Sequence, residues 1–354
     1  MAPPPAGRTE FHPLTVARVD PLTDDSAAVT FDVPPALADR FAFAPGQSVT
    51  VRRGGERRSY SICATAGRLP RIGVREVAGG AVSGWLVHQV RPGDVIEVQA
   101  PSGSFTPDLG TPGHHVLIAA GSGITPVLSI AGSVLAAQDK STVTLLYGNR
   151  RSDSVMFADE TADLKDAYPE RICLVHVLSR EPQEVEMFNG RLDAGKLRGL
   201  LPVTVDVAAV DHWWLCGPFG MVEDAIGVLG ELGIPRGRIH RELFYVEDAP
   251  PAQATHAEAA AGPGAEVTVL LDGRSSTVTV PAGTPILDGA QRVRPDLPFA
   301  CKGGVCGTCR AQLVAGEATM RRNYALEQTE LDAGYILTCQ ALPVSDTITV
   351  DYDA

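Results

Sequence analysis

The chain has 354 residues, which predicts two or three domains, each large enough to bury a hydrophobic core. Its 36 glycines and 27 prolines indicate many loops. These two residue types are nevertheless less frequent here than in low-complexity disordered chains. The formal net charge of −12 argues against a nucleic-acid-binding protein and against a polybasic membrane-surface protein. Seven cysteines, an odd number, are too few for a disulfide scaffold but enough for a metal site.

No targeting or membrane segment is predicted. The first residues, MAPPPAGR, lack the apolar stretch of a secretory signal. The uncharged stretch between Asp108 and Asp139 is interrupted by Gly, Pro, His and Ser, so a buried strand, a Gly-rich turn and a buried helix fit it better than a membrane span. We therefore expect a soluble, cytoplasmic protein with reduced thiols that binds no membrane.

The first region, residues 8–112, shows short β-type runs separated by Gly- and Pro-rich turns. The runs are Leu14–Val19, Ala27–Val33, Gln47–Val51, Arg71–Val77 and Asp94–Gln99. This pattern is typical of an antiparallel β-barrel or sandwich.

The second region, residues 113–246, alternates strands with helical stretches, which predicts a parallel α/β domain. Predicted strands are Val116–Ala120, Thr142–Tyr147, Ile172–Leu178 and His212–Cys216, and predicted helices begin at Pro126, near Phe157 and at Phe219. Residues 247–264 are rich in Ala, Pro and Gly without hydrophobic periodicity, which indicates a linker. Strands return in residues 265–354, at Glu266–Leu271, Ser276–Val280, Ala311–Leu313 and Thr347–Asp351.

Four cysteines of the last region form the most specific pattern in the chain. Cys301, Cys306 and Cys309 have the spacing C-x4-C-x2-C, and Cys339 follows thirty residues later. This is the plant-type [2Fe–2S] spacing, whereas zinc sites usually use C-x2-C pairs. Glycines 303, 304 and 307 allow the tight backbone that such a loop requires. The alternative is a zinc site or unrelated core cysteines. For Cys63 and Cys173, we predict small buried side chains.

Residues 265–354 therefore resemble plant-type ferredoxins. The resemblance implies a β-grasp fold and a one-electron carrier whose cluster ligands are the four cysteines of this pattern. A ferredoxin domain on a longer chain requires an electron source, and four further motifs indicate one.

The four motifs lie in the first two regions. Arg58-Ser59-Tyr60-Ser61 falls on a predicted strand, and Gly79-Gly80 precedes a helical stretch whose backbone N–H groups suit a pyrophosphate. Gly121-Ser-Gly123 and Cys216-Gly217-Pro218 each stand between a strand and a helix, where α/β sheets bind ligands.

Together, these motifs resemble the ferredoxin–NADP reductase superfamily. The resemblance implies that Arg58 holds the FAD pyrophosphate, that Tyr60 stacks on the isoalloxazine, and that Ser61 hydrogen-bonds near flavin N5. Ser59, between them, is also expected to bind the cofactor. Further implied positions are Gly80 and Ser83 at the pyrophosphate, Gly121, Gly123, Thr125 and Pro126 in the nicotinamide-nucleotide loop, and Cys216, Gly217 and Pro218 beside the nicotinamide. Glu242 and Phe244 match the segment that closes the reductase unit near the flavin. Ser61, Cys216 and Glu242 would thus line the hydride-transfer site.

The nucleotide is predicted to be NADPH rather than NADH. The second strand of the α/β domain is followed by Arg150 and lacks the acidic residue that binds the ribose diol of NAD. Ser179 and Arg180 also resemble the superfamily's segment for the 2′-phosphate. The alternative is that both arginines are ordinary surface charges.

The domain order and several local strings resemble the reductase subunits of ring-1,2-phenylacetyl-CoA epoxidases, di-iron oxygenases of phenylacetate breakdown. The strings are FHPLT at 11–15, YGNRRSDSVMF at 147–157, FNGRLD at 188–193, and RNYAL at 322–326 before LTCQ at 337–340. This resemblance implies that oxygenase subunits of a multicomponent monooxygenase are the partner. The alternatives are the reductase component of a steroid ring hydroxylase and, from another class, a nucleotide-binding iron–sulfur redox sensor.

Overall fold

The computed structural model describes residues 10–244, 264–326 and 328–354. These residues form two compact units. One, His12–Glu56 with Tyr60–Phe244, contains a β-domain and an α/β domain, and the other contains the carboxyl-terminal domain. Nearly all of the predicted linker, residues 247–263, lies outside the described residues, as do the first two residues of the predicted barrel domain.

The β-domain is a six-stranded antiparallel barrel, as predicted. Its elements are β1 (Phe11–Thr23), β2 (Ser26–Asp32), β3 (Ser48–Arg53), β4 (Glu56–Ser61), β5 (Arg71–Arg75), α1 (Ala81–His88) and β6 (Val95–Gln99). The strand order is β4-β3-β6-β1-β2-β5. An antiparallel bridge between Ile62, just after β4, and Ile72 of β5 joins the two edges and closes the barrel.

Alternation along the strands fills the barrel interior. In β5, Ile72 and Val74 are at most 1% exposed and belong to the barrel core. Full burial of such a side chain stabilises the fold by about 1.5–3 kcal/mol. Because successive side chains of a strand point to opposite faces, Arg71, Gly73 and Arg75 lie on the outer face of the barrel.

The α/β domain is a five-stranded parallel sheet covered by helices, as predicted. Its elements are β7 (His114–Ala120), α2 (Ile124–Ala137), β8 (Thr142–Asn149), α3 (Ala158–Ala167), β9 (Ile172–Leu178), α4 (Ala194–Thr204), β10 (His212–Cys216), α5 (Phe219–Glu231) and β11 (Ile239–Glu242). The order β11-β10-β7-β8-β9 reverses direction beside β7. The carboxyl ends of β7 and β10 therefore form a topological switch point, where such sheets bind ligands.

Several details of this domain differ from the sequence prediction. Helix α2 begins at Ile124 rather than Pro126, because Gly121–Gly123 form a 3-10 turn that leads directly into it. The sequence analysis did not predict α4 or β11. Cys173 is exposed, contrary to the prediction, because it lies on the edge strand β9; Cys63 is buried as predicted.

A stack of histidine and tryptophan rings covers part of this sheet. The ring of Trp214 stacks on His240 with centroids 4.1 Å apart, and its Nε1 donates a 3.2 Å hydrogen bond to Nδ1 of His115. His212 stacks on His115 at 5.1 Å. Burial, together with the neighbouring His212, lowers the pKa of both His115 and His240 to about 4. These two imidazoles are therefore neutral at physiological pH.

The carboxyl-terminal domain has the predicted β-grasp architecture. Its elements are β12 (Ala265–Leu271), β13 (Arg274–Val280), α6 (Ile286–Ala290), β14 (Arg310–Ala315), β15 (Ala318–Met320), α7 (Gln328–Asp332), β16 (Tyr335–Leu337), β17 (Ala341–Pro343) and β18 (Thr347–Asp351). The main sheet has the order β13-β12-β18-β14-β16, with β12 and β18 parallel. The loop between α6 and β14 carries three of the four motif cysteines.

None of the helices in the described ranges combines the length and the apolar character that a bilayer span requires.

Candidate functional site

Three residues predicted for hydride transfer meet at the switch point of the parallel sheet. The Ser61 hydroxyl, at the end of β4, donates a 3.0 Å hydrogen bond to Oε2 of Glu242, at the end of β11. Glu242 pairs in register with Cys216 of β10. Burial raises the pKa of Glu242 to about 7, and the hydrogen bond from Ser61 partly opposes this rise. The site therefore contains a carboxyl group that can take up or release a proton near neutral pH.

Cys216 is fully buried beside this carboxyl group. Burial, and secondarily the charge of Glu242, raises the pKa of its thiol well above the usual value. The thiol is therefore neutral, and it presents an uncharged wall rather than a nucleophile at this site.

The turn after β7 packs directly against the turn after β10. A Cβ atom placed on Gly123 would overlap the carbonyl oxygen of Cys216, so only glycine allows this approach. Gly121 has φ +55°, and the Thr125 hydroxyl donates a 3.0 Å hydrogen bond to the Ser122 carbonyl. The predicted nicotinamide loop is thus a tight turn beside Cys216, closed by its own hydrogen bonds.

The turn after β10 also packs tightly against its neighbours. A Cβ on Gly217 would lie 2.6 Å from the methyl group of Met221 and 3.2 Å from the backbone nitrogen of Ala120. Pro218 immediately precedes α5, and Pro126 is buried within the first turn of α2. Small or constrained residues therefore hold both turns at the carboxyl edge of the sheet.

The remaining predicted flavin residues lie on β4 and before α1. Arg58, Ser59 and Tyr60 are in β4, and Tyr60 packs against the barrel core. Helix α1 follows Gly80, and no side chain caps its amino terminus. Its first backbone N–H groups therefore have no side-chain acceptor.

The Ser83 hydroxyl organises the turn in front of α1. It accepts a 3.0 Å hydrogen bond from the backbone of Val77 and donates one of 3.4 Å to the Gly80 carbonyl. This arrangement fits an anion-binding turn, and Ser83 shapes that turn. Phe244 follows β11 and is 38% exposed.

The predicted phosphate residues come together at the ends of β8 and β9. The backbone nitrogen of Arg180 donates a 2.8 Å hydrogen bond to the carbonyl of Arg150, and Ser179 bonds through both its backbone nitrogen and its hydroxyl to Asn149. Both arginine side chains are exposed, and neither forms an ion pair within the described residues. The neighbouring acid, Glu181, accepts hydrogen bonds from the backbone and hydroxyl of Ser152.

The four motif cysteines lie together in the carboxyl-terminal domain as two pairs. Cys301 interacts with Cys306, and Cys309 with Cys339. Hydrogen bonds from Cys306 and from the backbone of Val305, Gly303 and Cys306 lower the pKa of Cys301 to about 6, although burial opposes them. The charges of Cys339, Cys306 and Cys301 all act on Cys309, so the four sulfurs form one group.

This arrangement fits a two-iron cluster. Two cysteine pairs supply two thiolates to each iron of a [2Fe–2S] cluster. In contrast, the described residues contain no set of three or more His, Cys, Asp or Glu side chains arranged around a single ion. The loop bends as the glycine pattern predicts, with φ +81° at Gly304 and +65° at Gly307. Lys302 also has a positive φ, +51°, which the sequence analysis did not anticipate.

The sequence analysis missed the residues that connect the barrel to the α/β domain. Arg71, Gly73 and Arg75 of β5 contact Glu160, Thr125 and Ser154 of the α/β domain. The alternation of RIGVR predicts the strand and its two faces, but no feature of the sequence shows what the outer face contacts.

Three domain families match the chain in the order of the observed domains. The oxidoreductase FAD-binding domain matches residues 13–106, the oxidoreductase NAD-binding domain matches residues 117–226, and the 2Fe-2S iron-sulfur cluster binding domain matches residues 269–344.

Curated relatives match over nearly the whole chain. One component protein of the 1,2-phenylacetyl-CoA epoxidase of Escherichia coli K12 is 41% identical, with 98% of this chain and 99% of that protein covered. The chain belongs to the ferredoxin–NADP reductase superfamily. Another relative, the ferredoxin reductase component of 3-ketosteroid-9-alpha-monooxygenase from Mycobacterium tuberculosis, is 35% identical, with 96% of this chain and 95% of that protein covered.

Solved structures of other proteins have the same three-domain architecture as this superfamily member. Phthalate dioxygenase reductase, described as a modular structure for electron transfer from pyridine nucleotides to [2Fe-2S], matches with a TM-score of 0.58 and 25% identity over 96% of this chain and 98% of that one. An intact type IV self-sufficient cytochrome P450 monooxygenase shares the fold, with a TM-score of 0.69 and 21% identity. Although 99% of this chain is covered, it spans only 42% of that protein.

The chain is therefore a flavin- and iron–sulfur-dependent oxidoreductase that uses FAD, a [2Fe–2S] cluster and a nicotinamide nucleotide. The predicted fold class and cofactor classes are confirmed.

Proposed function

We propose that this reductase passes electrons from NADPH, through FAD and the [2Fe–2S] cluster, to the oxygenase component of a multicomponent monooxygenase. The observation that carries the proposal is the meeting of Ser61, Glu242 and Cys216 beside the Gly121–Gly123 turn. A titratable carboxyl group, a hydroxyl donor and a neutral thiol stand there at the ligand-binding edge of the sheet.

Each of these side chains has a proposed task. Glu242, with a pKa of about 7, holds a proton or accepts one at Oε2, and Ser61 connects that atom to the barrel side of the site. Cys216 excludes water without adding charge, because it is fully buried and neutral. Bound FAD supplies the conversion between two-electron and one-electron transfer, which no side chain present here can perform.

The cofactor-binding residues are proposals of the same kind. FAD would be held by Arg58, Ser59, Tyr60 and Ser61 on β4, by Gly80 and Ser83 before α1, and by Phe244 after β11. The uncapped start of α1 supports the pyrophosphate position. The cluster ligands would be Cys301, Cys306, Cys309 and Cys339, and their pairing supports that assignment.

The nicotinamide nucleotide would bind along the carboxyl edge of the sheet. Gly121, Gly123, Thr125 and Pro126 would cradle its phosphates, with Cys216, Gly217 and Pro218 beside the nicotinamide. Arg150 and Arg180 lie next to Ser179 at the ends of neighbouring strands. Their side chains are exposed and form no ion pair with any described residue, and they favour the 2′-phosphate of NADPH over NADH.

The proposed partner is the di-iron oxygenase of the phenylacetyl-CoA 1,2-epoxidase. The support is the 41% identity, over the full length, to the matching component of the Escherichia coli epoxidase, compared with 35% to the ketosteroid monooxygenase component. The reductase of a steroid ring hydroxylase is the second candidate, because that relative also covers the chain from end to end.

We further propose a cytoplasmic location and the domain boundaries 8–112, 113–246 and 265–354, with a linker at 247–264. The location is supported by the cysteine usage, since the four proposed cluster ligands must stay reduced before the cluster is inserted. The linker would let the ferredoxin domain approach both the flavin and the oxygenase.

Reconstitution tests the proposal. The purified holoprotein should reduce cytochrome c with NADPH faster than with NADH, and it should support oxidation of phenylacetyl-CoA by the remaining epoxidase subunits. Turnover of a ketosteroid by a steroid hydroxylase, without any with phenylacetyl-CoA, would select the second candidate. A protein that holds flavin and cluster but turns over neither nucleotide would instead support the redox-sensor alternative.

A further inference from the structure

The outer face of β5 connects the flavin barrel to the proposed nucleotide loop. Its inner residues, Ile72 and Val74, belong to the barrel core, so the strand cannot shift without disturbing that core. Its outer residues Arg71, Gly73 and Arg75 all contact the α/β domain within the same compact unit.

Gly73 makes the closest of these contacts. A Cβ atom placed on Gly73 would lie 2.5 Å from Cγ2 of Thr125 and 2.7 Å from Cζ of Phe157. No Cβ atom is tolerated at such distances without movement of its neighbours. Thr125 is 1% exposed and stands at the start of α2, and its hydroxyl closes the turn at Ser122. The backbone of β5 therefore touches the nucleotide loop itself.

Arg75 joins the two domains beside the same loop. Its Nη2 donates a 2.8 Å hydrogen bond to the carbonyl of Ser154, and its Nε bonds to Oδ1 of Asp25 at 3.1 Å. Its Nη1 would lie 3.3 Å from a Cβ atom on Gly121. The guanidinium thus lies against the left-handed turn at Gly121 and is anchored in both domains.

Arg71 completes the connection. Its side chain is 13% exposed, and Nη2 contacts Oδ2 of Asp20 in β1 at 3.0 Å and Oε1 of Glu160 in α3 at 2.9 Å. The guanidinium also lies 5.3 Å from the centre of the Phe157 ring. One partly buried cation thus joins a carboxylate of the barrel to a carboxylate of the α/β domain, which is a stronger arrangement than a fully exposed pair.

We propose that Arg71, Gly73 and Arg75 are positioning residues for hydride transfer, which set the nucleotide loop at the correct distance from the flavin barrel. None of them needs to touch either cofactor. Hydride transfer requires the reacting atoms to approach within about 3–3.5 Å, and an error of about 1 Å can cost about 100-fold in rate. The inference rests on the proposed transfer from NADPH to FAD.

The test uses the full-length holoprotein with Gly73→Ala and, as the matched control, Gly199→Ala. A Cβ on Gly199, an exposed residue of α4, would have no heavy atom within 4 Å. For Gly73→Ala, we expect unchanged FAD content and unchanged reduction by dithionite. The limiting rate of flavin reduction at saturating NADPH should fall at least tenfold, and the kinetic isotope effect with deuterated NADPH should rise. Gly199→Ala should match the wild type.

A second set of variants decides the question if Gly73→Ala does not fold. Arg71→Lys keeps the charge but not the two-carboxylate geometry, and Glu160→Gln removes the partner in α3. Each should lower the limiting rate three- to tenfold, and the double variant should be no slower than the slower single variant.

Two results would overturn the inference: a folded, FAD-replete Gly73→Ala protein with the wild-type limiting rate, or additive or absent effects in the Arg71–Glu160 cycle. Failure of the wild type to reduce its flavin with NADPH or NADH would instead overturn the proposed function.

Discussion

The Ser61 hydroxyl donates a 3.0 Å hydrogen bond to Oε2 of Glu242, although the two residues are 181 positions apart in the chain. One residue ends a strand of the barrel and the other ends a strand of the parallel sheet. Because burial raises the pKa of Glu242 to about 7, this contact places an ionisable group with a near-neutral pKa where the two domains meet. The first three predictions test it.

Glu242→Gln should abolish the pH dependence of the turnover rate near pH 7. In the wild type, turnover with NADPH should rise as pH increases through about 7, because the carboxylate form accepts the proton that is released when electrons leave the reduced flavin. The variant should be slower and flat from pH 6 to pH 8. A variant with the wild-type pH profile would show that another group titrates.

The same substitution should also change stability with a defined sign. A carboxyl group whose pKa is raised on folding stabilises the fold at low pH, and this contribution is lost as pH rises through the folded pKa. Glu242→Gln should therefore raise the melting temperature at pH 8 relative to the wild type, and this difference should disappear near pH 4. Thermal unfolding at the two pH values measures it.

Ser61→Ala should shift the titration of Glu242 upward. The hydrogen bond from Ser61 lowers the pKa of Glu242, so its loss should move the midpoint of the pH–rate profile above that of the wild type. Ser61→Thr keeps a hydroxyl and should restore the original midpoint. Equal midpoints in the alanine variant and the wild type would contradict the assigned hydrogen bond.

Arg150→Ala and Arg180→Ala should each weaken the binding of NADPH but not that of NADH. Loss of one charged contact to a phosphate, about 1.4 kcal/mol, corresponds to a roughly tenfold higher KM for NADPH, with little change for NADH. Arg236→Ala is the control, because Arg236 is exposed and precedes β11 at the opposite edge of the sheet. If the KM rose equally for NADPH and NADH, the two arginines would not recognise the 2′-phosphate.

The buried histidines should make the α/β domain sensitive to acid. The folded pKa of His115 and His240 is lowered to about 4, so the stability that they contribute is present above the unfolded value near 6.5 and is lost as pH falls towards 4. His240→Phe should reduce the drop in melting temperature between pH 7 and pH 4.5. An unchanged drop in the His240→Phe variant would contradict this assignment.

Much of the fold follows from the sequence because its signals are local. The period-two runs, the alternation of strands with helices and the spacing from Cys301 to Cys309 each lie within one segment. The barrel, the parallel α/β domain and the [2Fe–2S] domain that they predict are confirmed. Helix α4 was not predicted because its sequence contains Pro202 and two glycines, so its amino-terminal cap at Asp193 and its packing matter more than propensity.

The site could be predicted only in part, because its contacts join distant segments. The motifs indicated Ser61, Cys216 and Glu242 one by one, and the structure adds their hydrogen bond and register. The role of β5 could not be predicted, since a glycine in a strand gives no sign that Thr125 and Phe157 fill the space of its side chain.

Cys306→Ala should separate the two halves of electron transfer. Reduction of cytochrome c should fall to a few per cent of the wild-type rate, whereas flavin reduction by NADPH should stay within about twofold. Cys173→Ala is the matched control, because Cys173 is an exposed cysteine on β9 outside the cluster group. If Cys306→Ala lost flavin reduction by NADPH and Cys173→Ala did not, the cluster loop would act on the step in which NADPH reduces the flavin.

The most direct test of the electron path is anaerobic rapid mixing of the holoprotein with NADPH, with flavin absorbance and the cluster signal in electron paramagnetic resonance recorded on the same time axis. We predict that the flavin is reduced first and that the reduced-cluster signal follows it, in the wild type but not in Cys306→Ala. A cluster that is reduced before the flavin, or a flavin that is reduced while the wild-type cluster stays oxidised, would contradict the path from NADPH through FAD to [2Fe–2S].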